Sequence, residues 1–381
     1  MDEGEWVEDR SWFGAGSHGE AAAFAGDVLG LVGDGVRADL EVRGDGVRVR
    51  AGAELRDAIS AAARAAGLAA DPGVVQELRL RIDSAVPVAP FWRAALGYGD
   101  GDVDPWRRCP VLRFEHSDEP RPLRNRIHVD SGHPGPIAGT AAALAAAGGR
   151  ELRANQWYST VADAEGNEVD LVPGGPLDAA PDWDTLFGAM ACYPGPPRRT
   201  CGLARAAAGL ADDAGIPLMI DLRPEGVVLD SGKDQWEEVA GFAGLAAAVQ
   251  DAARAAGLTA DNSQLRFVQT VIDAVDIPAV SAFWRAVLGY VPAPNTQSTD
   301  LFDPRQLNPV VLFQPMDPAE LDRRAQRNRI SYELLLPGDR VRPRLEAAVA
   351  AGGTVLGDAR LADPEGNEVV LRALPSTVSR P

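Results

Sequence analysis

Apolar residues recur at helical spacing in two short stretches that are nearly identical. "FWRAALGY" occupies residues 91–98 and "FWRAVLGY" occupies residues 283–290. The apolar positions fall at i, i+3, i+4, i+7 and i+8, namely Val88, Phe91, Trp92, Ala95 and Leu96 in the first stretch and Val280, Phe283, Trp284, Val287 and Leu288 in the second. This spacing puts one apolar stripe on a helix. Each stretch therefore predicts a helix that packs its aromatic residues onto a sheet.

Alternating patterns around these helices predict strands. "ELRLRID" (77–83) and "RFVQTVID" (266–273) precede the helices, and "CPVLRFEH" and "NPVVLFQP" follow them. The next strands are "RIHVD" and "ISYELLL", each followed by a helix ending in Ala-Gly-Gly and by a closing hairpin, "DAEGNEVDLV" or "DPEGNEVVLR". A strand, a helix and further strands, repeated within each half of the chain, predict paired βαβββ modules.

A different pattern precedes each pair of modules. Residues near 18–72 and 200–262 predict a helix, a β-hairpin and a second helix, with "DLEVRGDGVRVR" alternating about a Gly-Asp-Gly turn. "AARAAGL" at 62–68 returns at 252–258, "NRI" at 125–127 returns at 328–330, and "EGNEV" at 165–169 returns at 365–369. Ordered recurrence of this kind indicates one long unit that is present twice. We expect an α+β fold.

The charge balance restricts the partners. Among 381 residues, 55 are acidic and 37 are Lys or Arg, for a formal charge of −18. Such a surface repels phosphate backbones and anionic lipid, so we expect neither a nucleic-acid nor a membrane partner. The first residues, "MDEGEWVEDR", are acidic where a signal peptide is basic and then apolar, which predicts a cytoplasmic protein. Three cysteines, at irregular spacing, are expected to be reduced.

The run from the first strand through "FWRA-LGY" and "NRIHVD" to "EGNEVDLV" resembles the vicinal oxygen chelate superfamily, in the glyoxalase-like branch that includes the bleomycin-resistance proteins. The helix–hairpin–helix parts resemble pterin-4a-carbinolamine dehydratase modules more weakly, through their pattern and "RADLEV". The resemblance implies two glyoxalase-like domains of paired βαβββ modules, each preceded by a small α+β domain. The expected boundaries are 1–73 (degenerate pterin dehydratase-like), 74–173 (glyoxalase-like), 174–262 (linker and second pterin dehydratase-like), 263–374 (second glyoxalase-like) and 375–381 (tail).

The superfamily resemblance also implies where a metal ion is bound, inside a curved sheet by His, Gln or Glu at defined strand positions. Matched within each copy, these positions are Arg79, His128 and Asp170 in the first and Gln269, Ser331 and Val370 in the second. Glu115 is a further candidate that would complete a carboxylate–His–carboxylate group with His128 and Asp170, and Gln314 is its counterpart in the second copy. An arginine is not a metal ligand, and the second set lacks imidazole and carboxylate ligands. We therefore expect neither copy to bind a metal, and we expect no cofactor.

His128 allows two interpretations. A lone histidine on a strand is typical of a hydrogen-bonded core or rim residue. Alternatively, His128 is a general acid or base near neutral pH, oriented by Asp170 or Glu115, while Arg79 binds an anionic oxygen of the ligand. Alternatively, Arg79 and Asp170 form a salt bridge with each other and have no role in the site. Trp157, in a strand-like stretch, is either an aromatic wall of the ligand site or a core residue, and Gln269 and Gln314 complete the predicted ligand-binding residues.

The pterin dehydratase resemblance implies a dehydration that depends on histidines, two of them in a His-His-Pro-Asp run. The corresponding stretches are "VRAD" at 36–39 and "LMID" at 218–221, which keep only the aspartates. Without an imidazole, no group there is suited to move a proton at neutral pH. We expect these modules to serve packing or to form a wall of the neighbouring cavity.

Two functions fit these observations. The first is a small-molecule binding protein of the resistance or sequestration type, with a mostly apolar cavity and no metal. The second is a metal-independent lyase, isomerase or cyclase for a specialised metabolite, with His128 as acid or base. A pterin dehydratase activity or a purely structural role has less support. The expected partner is a small-molecule ligand or substrate, and the chain is expected to be a monomer or a homodimer.

Overall fold

A computed structural model describes residues 5–32, 37–293 and 299–374. The elements up to residue 173 are β1 (Arg10–Gly14), α1 (His18–Leu31), β2 (Ala38–Arg43), β3 (Gly46–Ala51), α2 (Ala53–Ala65), β4 (Glu77–Ser84), α3 (Ala89–Leu96), β5 (Val111–His116), β6 (Ile127–His133), α4 (Ala138–Ala146), β7 (Arg150–Ala154), β8 (Ser159–Ala162) and β9 (Glu168–Pro173).

The elements of the remaining chain are β10 (Gly175–Leu177), β11 (Ala180–Thr185), β12 (Ala189–Pro194), α5 (Pro197–Ala214), β13 (Met219–Arg223), β14 (Gly226–Asp230), α6 (Gln235–Glu238), α7 (Phe242–Ala255), β15 (Phe267–Ala274), α8 (Ile277–Leu288), β16 (Val291–Pro292), β17 (Leu301–Phe302), β18 (Val311–Pro315), α9 (Leu321–Ala325), β19 (Ile330–Leu336), α10 (Gly338–Ala350), β20 (Thr354–Gly357), β21 (Arg360–Ala362) and β22 (Glu368–Ala373). Within the described residues, no helix has both the length and the apolarity needed to cross a membrane.

The chain divides into two compact units that are interleaved in sequence. The first unit combines residues up to Val75 with Gly174–Leu265, and the second combines Gln76–Pro173 with Arg266–Ala373. Each unit therefore takes one segment from each copy of the repeat.

The first unit is built around sheet I, with the strand order β1-β3-β2-β13-β14-β12-β11-β10. The hairpins β2–β3 and β13–β14 come from different copies and join through β2 and β13, with Val42 opposite Ile220. Apolar residues on one face lie in a core with helices α1, α2, α5 and α7. The start of the segment predicted as a linker forms strands β10 to β12. It is part of the core, since residues such as Trp183 and Met190 are fully buried.

The other face of the β2–β13 junction carries reciprocal ion pairs. Arg43 Nη1 donates to Asp221 at 2.7 Å, and Arg223 Nη2 donates to Glu41 at 2.6 Å. Burial raises the pKa of Glu41, but the guanidinium groups of Arg48 and Arg223 outweigh it and hold this pKa well below its usual value.

The two stretches compared above with pterin dehydratases contain Asp39 and Asp221. Asp39 accepts from Arg37 Nε at 3.0 Å, and Asp221 is the partner of Arg43. Both aspartates are buried, at 2% exposure. Val36, at the start of "VRAD", lies outside the described residues, as does the predicted tail at 375–381.

The second unit contains two sheets that exchange modules between the copies. Sheet II has the order β16-β17-β18-β15-β6-β9-β8-β7, and sheet III has the order β20-β21-β22-β19-β4-β5. In sheet II, β15 of the second copy pairs with β6 of the first, and in sheet III, β4 of the first pairs with β19 of the second. The first module of each copy is therefore joined to the second module of the other copy.

The helices of the repeated octapeptide pack against these sheets, as predicted. Trp92 and Trp284 are 0% exposed and share one core with strand residues of both copies. Each indole Nε1 donates at 2.9 Å to an aspartate, Asp163 for Trp92 and Asp363 for Trp284. Each aspartate also fixes the turn of the neighbouring "EGNEV" repeat through Asn167 or Asn367. The octapeptide and "EGNEV" recur together because they are two sides of one contact.

The recurring "NRI" forms a reciprocal contact between the copies, which we call the Asn-Arg clasp (Asn125, Arg126, Asn328 and Arg329). The backbone N–H of Arg126 donates to Asn328 Oδ1 at 2.9 Å, and that of Arg329 donates to Asn125 Oδ1 at 2.9 Å. The side chains reach across as well, since Arg126 Nε donates to Asn367 and Arg329 Nε donates to Asn167. This clasp holds the exchanged modules together.

Candidate functional site

The alternation of side chains along β6 separates a core face from a polar face. Ile127 and Val129 lie in the apolar core, so His128 and Asp130 point to the opposite face of sheet II. The register of neighbouring strands adds two residues to that face, because Gln269 on β15 and Asp170 on β9 both lie beside Asp130. The polar face thus combines residues of both copies.

These side chains converge on one point. His128, Asp130 and Asp170 each offer a ligand atom, and the three atoms lie within 4.8 Å of one another. Gln269 Nε2 donates to Asp130 Oδ2 at 2.8 Å, which leaves the other amide atom, Oε1, buried. Within the described part of the chain, Oε1 of Gln269 and Nδ1 of His128 have no hydrogen-bond partner.

His128 is a neutral imidazole at pH 7. Burial lowers its pKa to about 4, the carboxylate of Asp170 opposes this shift, and the nearby guanidinium groups of Arg124, Arg153 and Arg323 add to it. The sequence suggested a group that titrates near neutrality, which this environment does not provide. A neutral imidazole keeps a lone pair for a metal ion or a ligand proton.

The cluster is part of a longer arrangement, the polar row, which crosses sheet II and consists of Arg153, Thr160, Asp170, Asp130 and Gln269. Strand register places these residues side by side on β7, β8, β9, β6 and β15. Arg153 Nε donates to Thr160 Oγ1 at 3.0 Å, and Thr160 Oγ1 donates to Asp170 Oδ1. Hydrogen bonds therefore orient both carboxylates of the cluster.

The equivalent row of sheet III has a different set of residues. It consists of Gly357, Arg360, Val370, Glu333 and Arg79. Arg79 Nη1 lies 3.4 Å from Glu333, and Arg372 also donates to Glu333, so an ion pair replaces the Gln269–Asp130 contact. The suggested contact of Arg79 with Asp170 is wrong, because the two lie in different sheets.

The other predicted site residues are dispersed. Glu115 lies on β5 of sheet III, where it pairs with Arg81 and borders a hollow of about 250 Å³ away from His128. Trp157 is 70% exposed in the turn between β7 and β8, so it is neither a core residue nor part of a strand. Gln314 is exposed near the end of β18, opposite Asp273. Of the predicted residues, His128, Asp170 and Gln269 come together.

Sequence reasoning missed Asp130, Thr160 and Arg153. Asp130 follows His128 by two positions, so the alternation of a strand already put it on the same face. Thr160 and Arg153 carried no comparable signal, because their place beside Asp170 depends on the register of β7, β8 and β9.

The profile of the glyoxalase-like domain matches residues 78–172 and 269–371, which together make up just over half of the chain. No curated protein matches the chain. Among solved structures, a mutant of glyoxalase I from Zea mays aligns at 10% identity over 78% of this chain and 94% of that chain, with a TM-score of 0.38. On the strength of the two profile matches, the chain belongs to the glyoxalase-like domain family and contains that domain twice.

Proposed function

We propose that the protein binds a small molecule through adjacent oxygen atoms at the polar row of sheet II, where His128, Asp130, Asp170 and Gln269 hold a divalent metal ion. The observation that supports this is the convergence of three ligand atoms within 4.8 Å beside a buried amide oxygen, Gln269 Oε1, that has no partner among the described residues. An unpaired buried polar atom costs about 1–3 kcal/mol, and coordination removes that cost.

The donor set suits a divalent transition metal. One imidazole, two carboxylates and one amide oxygen are ligands typical of zinc, manganese, iron or nickel sites. Metal binding requires a neutral imidazole, and the lowered pKa of His128 meets that requirement. The proposal departs from the expected metal-free site because that expectation grouped residues by copy, whereas sheet II draws them from both copies.

A divalent ion at this site supplies a Lewis acid that polarises adjacent oxygen atoms of a ligand. The chain's own residues orient the carboxylates: Thr160 donates to Asp170, and Gln269 donates to Asp130. Gln269 and His128 are 1% and 3% exposed, so this end of the site excludes bulk water. We place the function in this sheet alone, because in sheet III Val370 stands in place of Asp170 and Arg79 in place of Gln269.

The test is the number of ions bound per chain. The full-length protein is stripped with chelator and titrated with Mn²⁺, Zn²⁺ and Ni²⁺ by calorimetry, with bound metal counted by mass spectrometry. We expect one ion per chain. Asp170→Ala weakens binding more than about 100-fold, because it removes a ligand whose supporting contacts alone are worth about 10- to 100-fold. Val370→Ala, the matched substitution in sheet III, leaves binding unchanged.

Two results contradict the proposal. Two ions per chain would place a site in sheet III as well. If none of the three metals binds, the site does not hold a metal ion. A metabolite that raises the melting temperature of chelator-treated protein would then support the metal-free binding protein expected from the sequence. Melting curves of the metal-free variants show that each variant is folded.

A further inference from the structure

The polar row is closed at one end and open at the other. Gln269 is 1% exposed and Asp130 is 7% exposed, whereas Asp170 is partly exposed and the side chain of Arg153 is 52% exposed. A ligand that reaches the cluster from the open end passes Arg153. Arg153 is therefore placed to contact the end of a bound ligand that lies farthest from the cluster and nearest to the surface.

Arg153 differs from the other two arginines that act on His128. Arg124 is held between Glu168 at 2.8 Å and Asp273 at 2.9 Å, and Arg323 is bound to Asp273. Arg153 is fixed through its Nε, which donates to Thr160 at 3.0 Å, while its Nη2 approaches Glu168 only to 3.8 Å. A guanidinium anchored by Nε presents its two Nη groups as a planar fork, the geometry that matches a carboxylate.

The position of Arg153 sets a length for the ligand. Two strand spacings separate β7 from β9, so the Cα atoms of Arg153 and Asp170 are about 10 Å apart. Side chains extend toward each other across part of that span. Arg153 Nε lies 3.0 Å from Thr160 Oγ1, which in turn donates to Asp170 Oδ1. A ligand that chelates at the cluster therefore needs its second carboxylate only a few bonds from the chelating oxygens to reach the Nη groups of Arg153.

We propose that Arg153 selects for ligands with a carboxylate distal to the chelating oxygens. This inference rests on the proposed function of the polar row. Sheet III offers no counterpart, since Gly357 takes the place of Arg153 and Arg360 that of Thr160. Arg153 is a specificity residue, and Thr160 is the positioning residue that couples it to Asp170.

The experiment compares two probes that differ only in that carboxylate. The Mn²⁺-loaded full-length protein is titrated by calorimetry with 2-oxoglutarate and with 2-oxovalerate, which share the adjacent 2-oxo and carboxylate oxygens. We expect 2-oxoglutarate to bind about tenfold more tightly, as one charge-assisted bidentate contact provides. In Arg153→Gln, measured at saturating Mn²⁺, this preference disappears, because the affinity for 2-oxoglutarate falls to that of the same variant for 2-oxovalerate.

Arg342→Gln is the matched control, because Arg342 is an exposed arginine that pairs with Glu346 on α10, away from the polar row. It keeps the full preference. Equal affinities for the two probes in the unsubstituted protein, a preference that survives Arg153→Gln, or no binding of either probe to the metal-loaded protein would overturn this inference. Failure of the metal titration itself overturns the proposed function, so the two failures are distinguishable.

Discussion

Replacing Arg126 with methionine should destabilise the second unit strongly. Its buried guanidinium, 1% exposed, donates to Asn367 Oδ1 at 3.1 Å and to the carbonyl oxygens of Arg323, Arg324 and Gln326 at 2.6, 2.9 and 2.7 Å. Methionine fills similar apolar volume but removes the donor to three carbonyl oxygens, while Asn367 Oδ1 still accepts from Asn328 Nδ2 at 2.7 Å. Each buried acceptor left without its donor costs about 1–3 kcal/mol, and we expect a total of about 4 kcal/mol here.

The repeat supplies its own control in Arg329. That side chain is also buried, at 4% exposure, and its Nε donates to Asn167 at 2.9 Å. Arg329→Met should therefore cost only about 2 kcal/mol, the range of one hydrogen bond from a charged group. The free energy of unfolding is measured by urea titration with circular dichroism. If Arg126→Met costs no more than Arg329→Met, the carbonyl contacts of Arg126 do not stabilise the clasp as argued.

Two further predictions concern stability. Trp92→Phe and Trp284→Phe each remove an indole donor that lies 2.9 Å from a buried aspartate, so urea titration should show a loss of about 1.5–3 kcal/mol for each; a difference above about 2 kcal/mol between them would contradict their equivalence. Burial lowers the pKa of His133 to about 3, so the unfolded chain binds the proton more tightly; stability should fall by roughly 3–5 kcal/mol as the pH drops from about 6.5 to about 3. His133→Gln should make that part of the profile of unfolding free energy against pH less steep, with His128 contributing to the slope that remains, and an unchanged slope would show that His133 does not contribute.

Much of the fold could be predicted from local pattern. The stripe containing Trp92 gives the helix because helical periodicity is a property of adjacent residues, and the hairpins β2–β3 and β13–β14 follow from alternation about a turn. The burial of Trp183 in β11 could not be predicted in the same way, because glycine and proline residues around it resemble a linker.

The candidate site, too, could be predicted only in part from the sequence. His128, Asp170 and Gln269 were recognisable as polar residues at strand positions that the superfamily resemblance singles out. Their grouping was wrong, since matching within each copy placed Arg79 beside Asp170 and left Gln269 with Val370. Strand alternation was enough to predict that Asp130 shares a face with His128, whereas the positions of Arg153 and Thr160 depend on the register between strands.

The sequence by itself determined the repeated elements, the apolar faces they bury and the residues able to carry chemistry, because these depend on neighbours along the chain. Only the tertiary structure decided which module pairs with which, since hydrogen bonding between β6 and β15, and between β4 and β19, joins segments that are far apart in sequence. That exchange puts the histidine and carboxylates of one copy beside the glutamine of the other in sheet II. It leaves sheet III with an arginine–glutamate ion pair in the equivalent place.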